Sequence, residues 1–181
     1  MITVSPAEPR DARAIAGLLE ELGQFYGTPA AQPLDERVTQ VGQALFADPP
    51  AAYALLAREE PGPAAGAGPV AGADARAGAD ALAGLAAYSF LWPAIGPTRS
   101  LYLKELYVPT AYRGQGVGKL LMRAVFEAAA RHECSRVEWT TDITNTGAQA
   151  FYGRLGLARY PSKVFYRVET AEMSGLGPTM P

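Results

Sequence analysis

Tyr112-Arg113-Gly114-Gln115-Gly116-Val117-Gly118-Lys119 lies between a strand-like run, SLYLKELYV at 100–108, and an amphipathic run at 116–132. In the second run Val117, Leu120, Leu121, Ala124, Val125 and Ala128 recur at helical spacing. A strand-to-helix turn aims several backbone N–H groups at one point, and the helix dipole adds positive potential there. Glycine lets such a backbone take positive φ and approach an anion closely. Arg113 and Lys119 add two positive side chains. The spacing is not that of a dinucleotide turn, which needs G-x-G-x-x-G early in a βαβ unit and an acid about 20 residues on. It is not a P-loop either, because G-x-x-x-x-G-K-[ST] is missing. Alone, the run fits an anion-binding turn or a plain structural turn equally well.

Working outward, residues 2–4 read as a short strand, and residues 9–26 as a helix with Ile15, Leu18, Leu19, Leu22, Phe25 and Tyr26 on its apolar side. Pro9 suits its first turn and Gly27 its end. A second helix is expected at 35–46, with Asp35 as N-cap. Strands are expected at 52–58, from 85 onward (LAAYSFLW), at 100–108, at 136–141 and at 164–168. A short helix at 145–155 turns Ala148, Phe151, Tyr152 and Leu155 inward and closes at Gly156. Residues 60–84, EPGPAAGAGPVAGADARAGADALAG, hold Val70 and Leu82 as their large aliphatics and no aromatic residue. Such a stretch buries too little surface to offset chain entropy, so it reads as a flexible loop between strands. The order β-α-α-β-β-β-α-β-α-β describes a mixed α/β sheet covered by helices. One domain over 1–169 is expected, with 170–181 a disordered tail.

Composition narrows the function. The chain has 181 residues, 49% hydrophobic and 19% charged, with a formal net charge of -2. Phosphate-backbone binding needs a basic face, so nucleic acid is not the expected partner. Cys134 is the single cysteine and His132 the single histidine, which leaves no intrachain disulfide and no ordinary zinc site. No metal is expected. The N-terminal sequence lacks signal-peptide character, and no long apolar run reads as a membrane span. A soluble cytoplasmic protein is the expectation, with no membrane partner.

The larger pattern resembles the GNAT superfamily of N-acetyltransferases. Its R-x-x-G-x-G core is met by Arg113, Gly116 and Gly118, and its second block by Asn145, Ala148, Phe151, Tyr152, Leu155 and Gly156. Within the superfamily the chain looks most similar to the spermidine/spermine (diamine) branch, through LAGLAAYSFLWPAIGP, SLYLKELYV and VEWTTDITNTGAQAFY. It departs from that branch where two adjacent acids are usual, because here Lys104 precedes Glu105. The resemblance implies a mostly antiparallel central sheet flanked by helices, splayed between the two strands that hold acetyl-CoA, near 105–108 and 139–142. Residues Arg113, Gly114, Gln115, Gly116, Val117, Gly118 and Lys119 would hold the pyrophosphate. Free backbone N–H groups at a strand irregularity near Leu106, Tyr107 and Val108 would hold the thioester oxygen.

It further implies direct attack of a primary amine on acetyl-CoA, with both substrates bound together. Tyr152 would face the sulfur and protonate the leaving thiolate. An alkylammonium of pKa about 10.4 must first lose a proton, and Glu105, then Asp142, are the candidate acceptors. Glu105 is equally well a solvated strand charge, and Asp142 equally well a helix cap. Strand alternation places Glu105 on the side of Leu103 and Tyr107, with Lys104 opposite. Asn145 either bonds the pantetheine arm or caps its helix. Glu21, Tyr26 and Trp92 are candidates for the acceptor pocket, although core or surface roles suit each of them. Polyamines, amino-acid-like amines and amine antibiotics stay open as acceptors. Two alternatives are a peptide or protein acetyltransferase and a non-catalytic acetyl-CoA-binding module. The resemblance also allows a homodimer.

Overall fold

Five strands form, the central β2 and β3 as continuous apolar runs covered on both faces: β1 (Ile2–Pro6), β2 (Tyr53–Glu59), β3 (Leu82–Leu91), β4 (Ser100–Tyr107) and β5 (Arg136–Trp139). In this computed structural model the described residues are 1–28, 30–60, 82–169 and 173. The sheet order is β1-β2-β3-β4-β5, with β4–β5 parallel and the other pairs antiparallel. The helices are α1 (Ala12–Phe25), α2 (Leu34–Phe46), α3 (Val117–Arg131) and α4 (Thr146–Arg154). The described residues form two compact units, one ending at Thr140 and the other beginning at Thr141.

In the first unit, α1 and α2 cover one face of the sheet. Ile15, Leu18, Leu22 and Val41 meet Ala54, Leu56, Leu85 and Tyr107 there. The opposite face packs on α3, whose Val117, Leu121, Met122, Val125, Ala128 and Ala129 are buried. Each such fully buried aliphatic side chain stabilises by about 1.5–3 kcal/mol. The buried stripe of α3 is rotated from the expected one: Met122 is inside and Leu120 is 38% exposed. Similarly, Leu19, Phe25 and Tyr26 of the first helix and its end are exposed. Periodicity locates a face to within a residue or so, and the width of the contact decides which flanking apolar residue reaches it.

Local signals hold at most element ends. A short 3-10 turn, Pro9–Asp11, precedes α1, and Asp11, only 6% exposed, accepts from Arg58 of β2 at 2.6 Å and from the Glu8 N–H at 2.7 Å. Gly27 ends α1 with φ +72°. Asp35 is not an N-cap, because α2 starts one residue earlier, after Pro33; Asp35 lies in the first turn and pairs with Arg13 at 2.7 Å. A carboxylate there still complements the helix dipole. β3 begins at Leu82, ahead of the expected start, and Leu82 and Ala83 are buried. The low-complexity run therefore ends sooner than its composition suggests, and 61–81 lie outside the described residues, as does most of the tail expected at 170–181.

The second unit holds α4, capped by Asn145, whose Oδ1 accepts from the Ala148 N–H at 3.0 Å. Gly156 follows with φ +74°. The strand expected at 164–168 is not formed, and Val164, Phe165, Tyr166 and Val168 are exposed. β-prone sequence becomes a strand only where a neighbour takes up its backbone groups, and this segment belongs to no ladder.

Gly84 marks the tightest approach of sheet and α3. A Cβ there would lie 2.9 Å from the Tyr107 carbonyl oxygen, 2.9 Å from Leu121 Cδ1 and 3.2 Å from Val117 Cγ1. Gly84→Ala should lower stability by about 1–3 kcal/mol through overpacking. Gly17→Ala in α1, where no atom lies within 4 Å of the added carbon, should instead be neutral or stabilising by about 0.5–1 kcal/mol. Urea unfolding of the two variants checks both signs.

Candidate active site

The site is built around an interruption in β4. Tyr88 pairs with Leu103 but Ala87 pairs with Glu105, so Lys104 is an extra residue opposite no partner on β3. A bulge of this kind bends the strand and shifts the alternation of everything after it. Before the bulge, Leu101 and Leu103 face α3. After it, Glu105 and Tyr107 pair with Ala87 and Leu85, on the face covered by α1 and α2, together with Tyr102. The sequence expectation that Glu105 shares a side with Tyr107 holds, but Leu103 is on the other side. Strict alternation cannot reveal an inserted residue. Lys104 and Glu105 instead project together, Nζ to Oε1 3.9 Å apart.

Pairing between β4 and β5 stops at the same level. Its last register partners are Leu103 and Trp139, where β5 ends. Residues Lys104 to Tyr107 therefore run on with β3 as their only ladder partner among the described residues. Alternate backbone N–H and C=O groups of that segment point to the unpaired edge. The Tyr102 hydroxyl and Thr140 Oγ1 lie 3.2 Å apart and bridge the two strands where they part. Neither residue was singled out by sequence, since a polar pair across parallel strands leaves no local pattern.

Beyond β4 the chain passes a 3-10 turn, Thr110–Tyr112, and enters the glycine turn. Gly114 and Gly116 have φ of +76° and +82°, the region that favours glycine. Nothing lies within 4 Å of a Cβ built at either position. The positive φ, not crowding, is what calls for glycine here. The first intrahelical donor of α3 is Leu120, bonded to the Gly116 carbonyl at 3.1 Å. The N–H groups of Val117, Gly118 and Lys119 precede it, pointing out of the helix N-terminus. Val117 is buried beneath Gly84, while Gln115 and Lys119 are exposed. Gln115 Nε2 donates to the Ala111 carbonyl at 2.8 Å. A helix N-terminus with unused backbone donors behind two glycines of positive φ could hold a pyrophosphate.

Arg113 braces the turn. Its Nε donates to the Val108 carbonyl at 3.0 Å, and its guanidinium lies 5.4 Å over the Phe25 ring. Phe25, at helical spacing with the apolar residues of α1, is 56% exposed at the helix end and ties α1 to the turn. Tyr26 stacks edge-on against Phe25. The Tyr107 hydroxyl donates to Glu21 Oε2 at 3.4 Å, long for a hydroxyl donor. Burial and then the Glu21 carboxylate push the Tyr107 hydroxyl pKa up.

Burial raises the pKa of Glu105 above the ordinary glutamate value, and the Lys104 charge only partly opposes this. Trp92 lies elsewhere. It is 72% exposed and follows Leu91, the partner of Ser100 at the start of β4. At about 3.3 Å per residue, the strand carries Tyr107 more than 20 Å from that end. Trp92 Nε1 donates to the Pro97 carbonyl at 3.0 Å and pins a local turn.

In the second unit, Asp142 Oδ1 accepts from the N–H and hydroxyl of Thr144, at 2.7 and 2.6 Å. These bonds hold its pKa below the usual carboxylate range. Asp142 thus organises the turn before α4 and is the weaker base of the two candidates. Tyr152 is half-buried on α4, its ring tilted 59° to Phe151 with centroids 5.2 Å apart.

The family model described as Acetyltransferase (GNAT) family matches residues 30–157. The chain belongs to that family. Thialysine N-epsilon-acetyltransferase of Bos taurus is 36% identical over 58 residues, covering 32% of this chain and 34% of that protein. N-alpha-acetyltransferase 30 of Schizosaccharomyces pombe is 33% identical over 72 residues, 40% of this chain and 47% of that protein. The chain thus aligns with less than half the length of these curated relatives. An integron cassette protein from the mobile metagenome of V. cholerae superposes with a TM-score of 0.78 at 23% identity, covering 98% of each chain. That likeness concerns the fold.

Proposed function

We propose that this protein is an acetyl-CoA-dependent N-acetyltransferase acting on the primary amine of a small molecule. The observation that carries the reading is the coincidence, at one end of β4, of an unpaired backbone edge and a glycine turn opening α3. Residues 113–119 would bind the pyrophosphate through backbone N–H groups. Leu106, Tyr107 and Val108 would present amides to the pantetheine arm and the thioester oxygen. Acetyl-CoA supplies an acetyl carbonyl activated as a thioester. A metal ion has no part in this reading.

Glu105 accepts the proton that the acceptor ammonium must lose. Its pKa, raised by burial, makes it a stronger base than an ordinary carboxylate. The amine nitrogen then bonds to the carbonyl carbon and the carbon–sulfur bond breaks. Tyr152 gives a proton to the departing thiolate. Asn145 serves its helix cap. Similarity to the bovine enzyme supports a small amine as acceptor, and the diamine-branch motifs point the same way. The match to the fission-yeast enzyme favours a second reading, a protein N-terminus as acceptor. We take residues 1–169 as one acetyltransferase domain.

The test is release of free CoA with a panel of small amines, amino acids and N-terminal peptides. Turnover with small amines supports the reading, turnover with peptides alone supports the second, and CoA binding without turnover on any acceptor contradicts both. Tyr152→Phe should cut kcat and kcat/KM together by about 10²–10⁴-fold at unchanged acetyl-CoA affinity. A kcat within about twofold of wild type removes Tyr152 from the mechanism.

The pH profile tests Glu105. A carboxylate base works only when ionised, so kcat/KM should fall as pH drops through the Glu105 pKa, on the high side of the usual carboxylate range. Glu105→Gln should lose most of the rate and the acid limb. An unchanged acid limb would assign it to another group.

A further inference from the structure

We propose that Lys104 is a specificity-determining residue that binds an anionic group, a carboxylate, carried by the acceptor near its amine. This rests on the acetyltransferase reading and narrows its substrate class to amino-acid-like zwitterions rather than di- or polyamines.

The argument starts from the bulge. In a regular strand, neighbours point to opposite faces, and a Lys-Glu dipeptide would divide its charges between them. The register skips Lys104, so Glu105 returns to the face of Tyr102, which by alternation is also the face of Lys104. The backbone irregularity thus delivers a cation and an anion side by side, facing α1 and α2. Their roles differ in exposure. The Lys104 side chain is 65% exposed and that of Glu105 is 28% exposed. Their separation of 3.9 Å is at the outer limit of an ion pair. Exposed pairs of this geometry contribute little to folding, so the Lys104 ammonium can turn to another partner at little cost.

The surroundings restrict what that partner is. Glu105 and Glu21 are acidic groups on the α1-facing side of β4 and on α1, and Glu21 already accepts from Tyr107. One carboxylate is enough to receive one ammonium. A diamine would bring a second positive charge to a face where Lys104 stands beside the base, and like charges repel at such spacing. An acceptor carrying a carboxylate a few bonds from its amine meets complementary charge at both ends. The amine lies against Glu105 and the carboxylate against Lys104.

The test compares acceptors that differ by that one group. Lysine and cadaverine share the same alkylamine, and cadaverine lacks only the carboxylate. The wild-type kcat/KM should favour lysine by at least tenfold. Lys104→Gln should remove that preference by raising KM for lysine, the mark of lost ground-state binding, with rates compared on each enzyme's pH plateau because losing the Lys104 charge raises the Glu105 pKa further. Lys104→Glu should invert it in favour of cadaverine. A peptide with an acidic residue beside its N-terminal amine tells a free amino acid from a peptide as the carboxylate's source. Thermal unfolding and acetyl-CoA affinity should be unchanged in both variants, because Lys104 is exposed. A wild-type preference for cadaverine, or a preference for lysine that survives in Lys104→Gln, overturns the inference while leaving the acetyltransferase intact. No turnover with any amine overturns the acetyltransferase reading, and this inference with it.

Discussion

The structure depends on one interruption of backbone hydrogen bonding. β4 pairs with β3 on both sides of Lys104, yet it leaves β5 at Leu103. The bulge at Lys104 falls at that level. It bends the strand and moves Glu105 onto the face of Tyr102, and beyond it β4 has no ladder partner on its β5 side among the described residues. An unpaired edge in a sheet interior is costly unless something else takes up its hydrogen bonds. In the proposed reading, a ligand with an amide-rich arm would satisfy that demand, and the glycine turn at the strand's end would offer donors for the phosphates at the arm's far end.

Three contacts keep this arrangement in place. Tyr102 and Thr140 join β4 to the end of β5 just before the strands part. Tyr107 reaches Glu21 and so fixes the far end of β4 against α1. Arg113 spans from the Val108 carbonyl to the ring of Phe25, tying the glycine turn to the end of the same helix. α1 is thereby coupled to the opened edge and to the turn, so a shift of α1 alters both. Gly84, pressed between Tyr107 and α3, sets how closely the helix with the turn can approach the sheet.

Much of this was legible in the sequence because it is written in local chemistry. The glycines of the turn, the run of apolar residues in α3 and the Asn145 cap each follow from a backbone requirement met by particular residue types. The resemblance implies a strand irregularity near Leu106 to Val108, but its position at Lys104 was not legible in the residues. An inserted residue in a strand looks like any other residue, and its effect appears only in the partner's register; hence Leu103 was placed with Glu105. Trp92 was drawn toward the site by its size, although strand length separates them. Phe25 falls at helical spacing with the apolar residues of α1, and periodicity cannot tell a packed aromatic from one that stacks on an arginine. The segment 164–168 has strand composition without a partner, and composition cannot supply one.

The central claim is that the edge of β4 beyond Leu103 and the turn before α3 together receive acetyl-CoA. Amide hydrogen exchange of the intact protein with and without CoA tests it most directly. Slower exchange at Glu105 to Val108 and at Gly114 to Lys119, with little change in β1 and β2, is the predicted result. CoA binding that leaves both segments exchanging at their free rates would contradict the account.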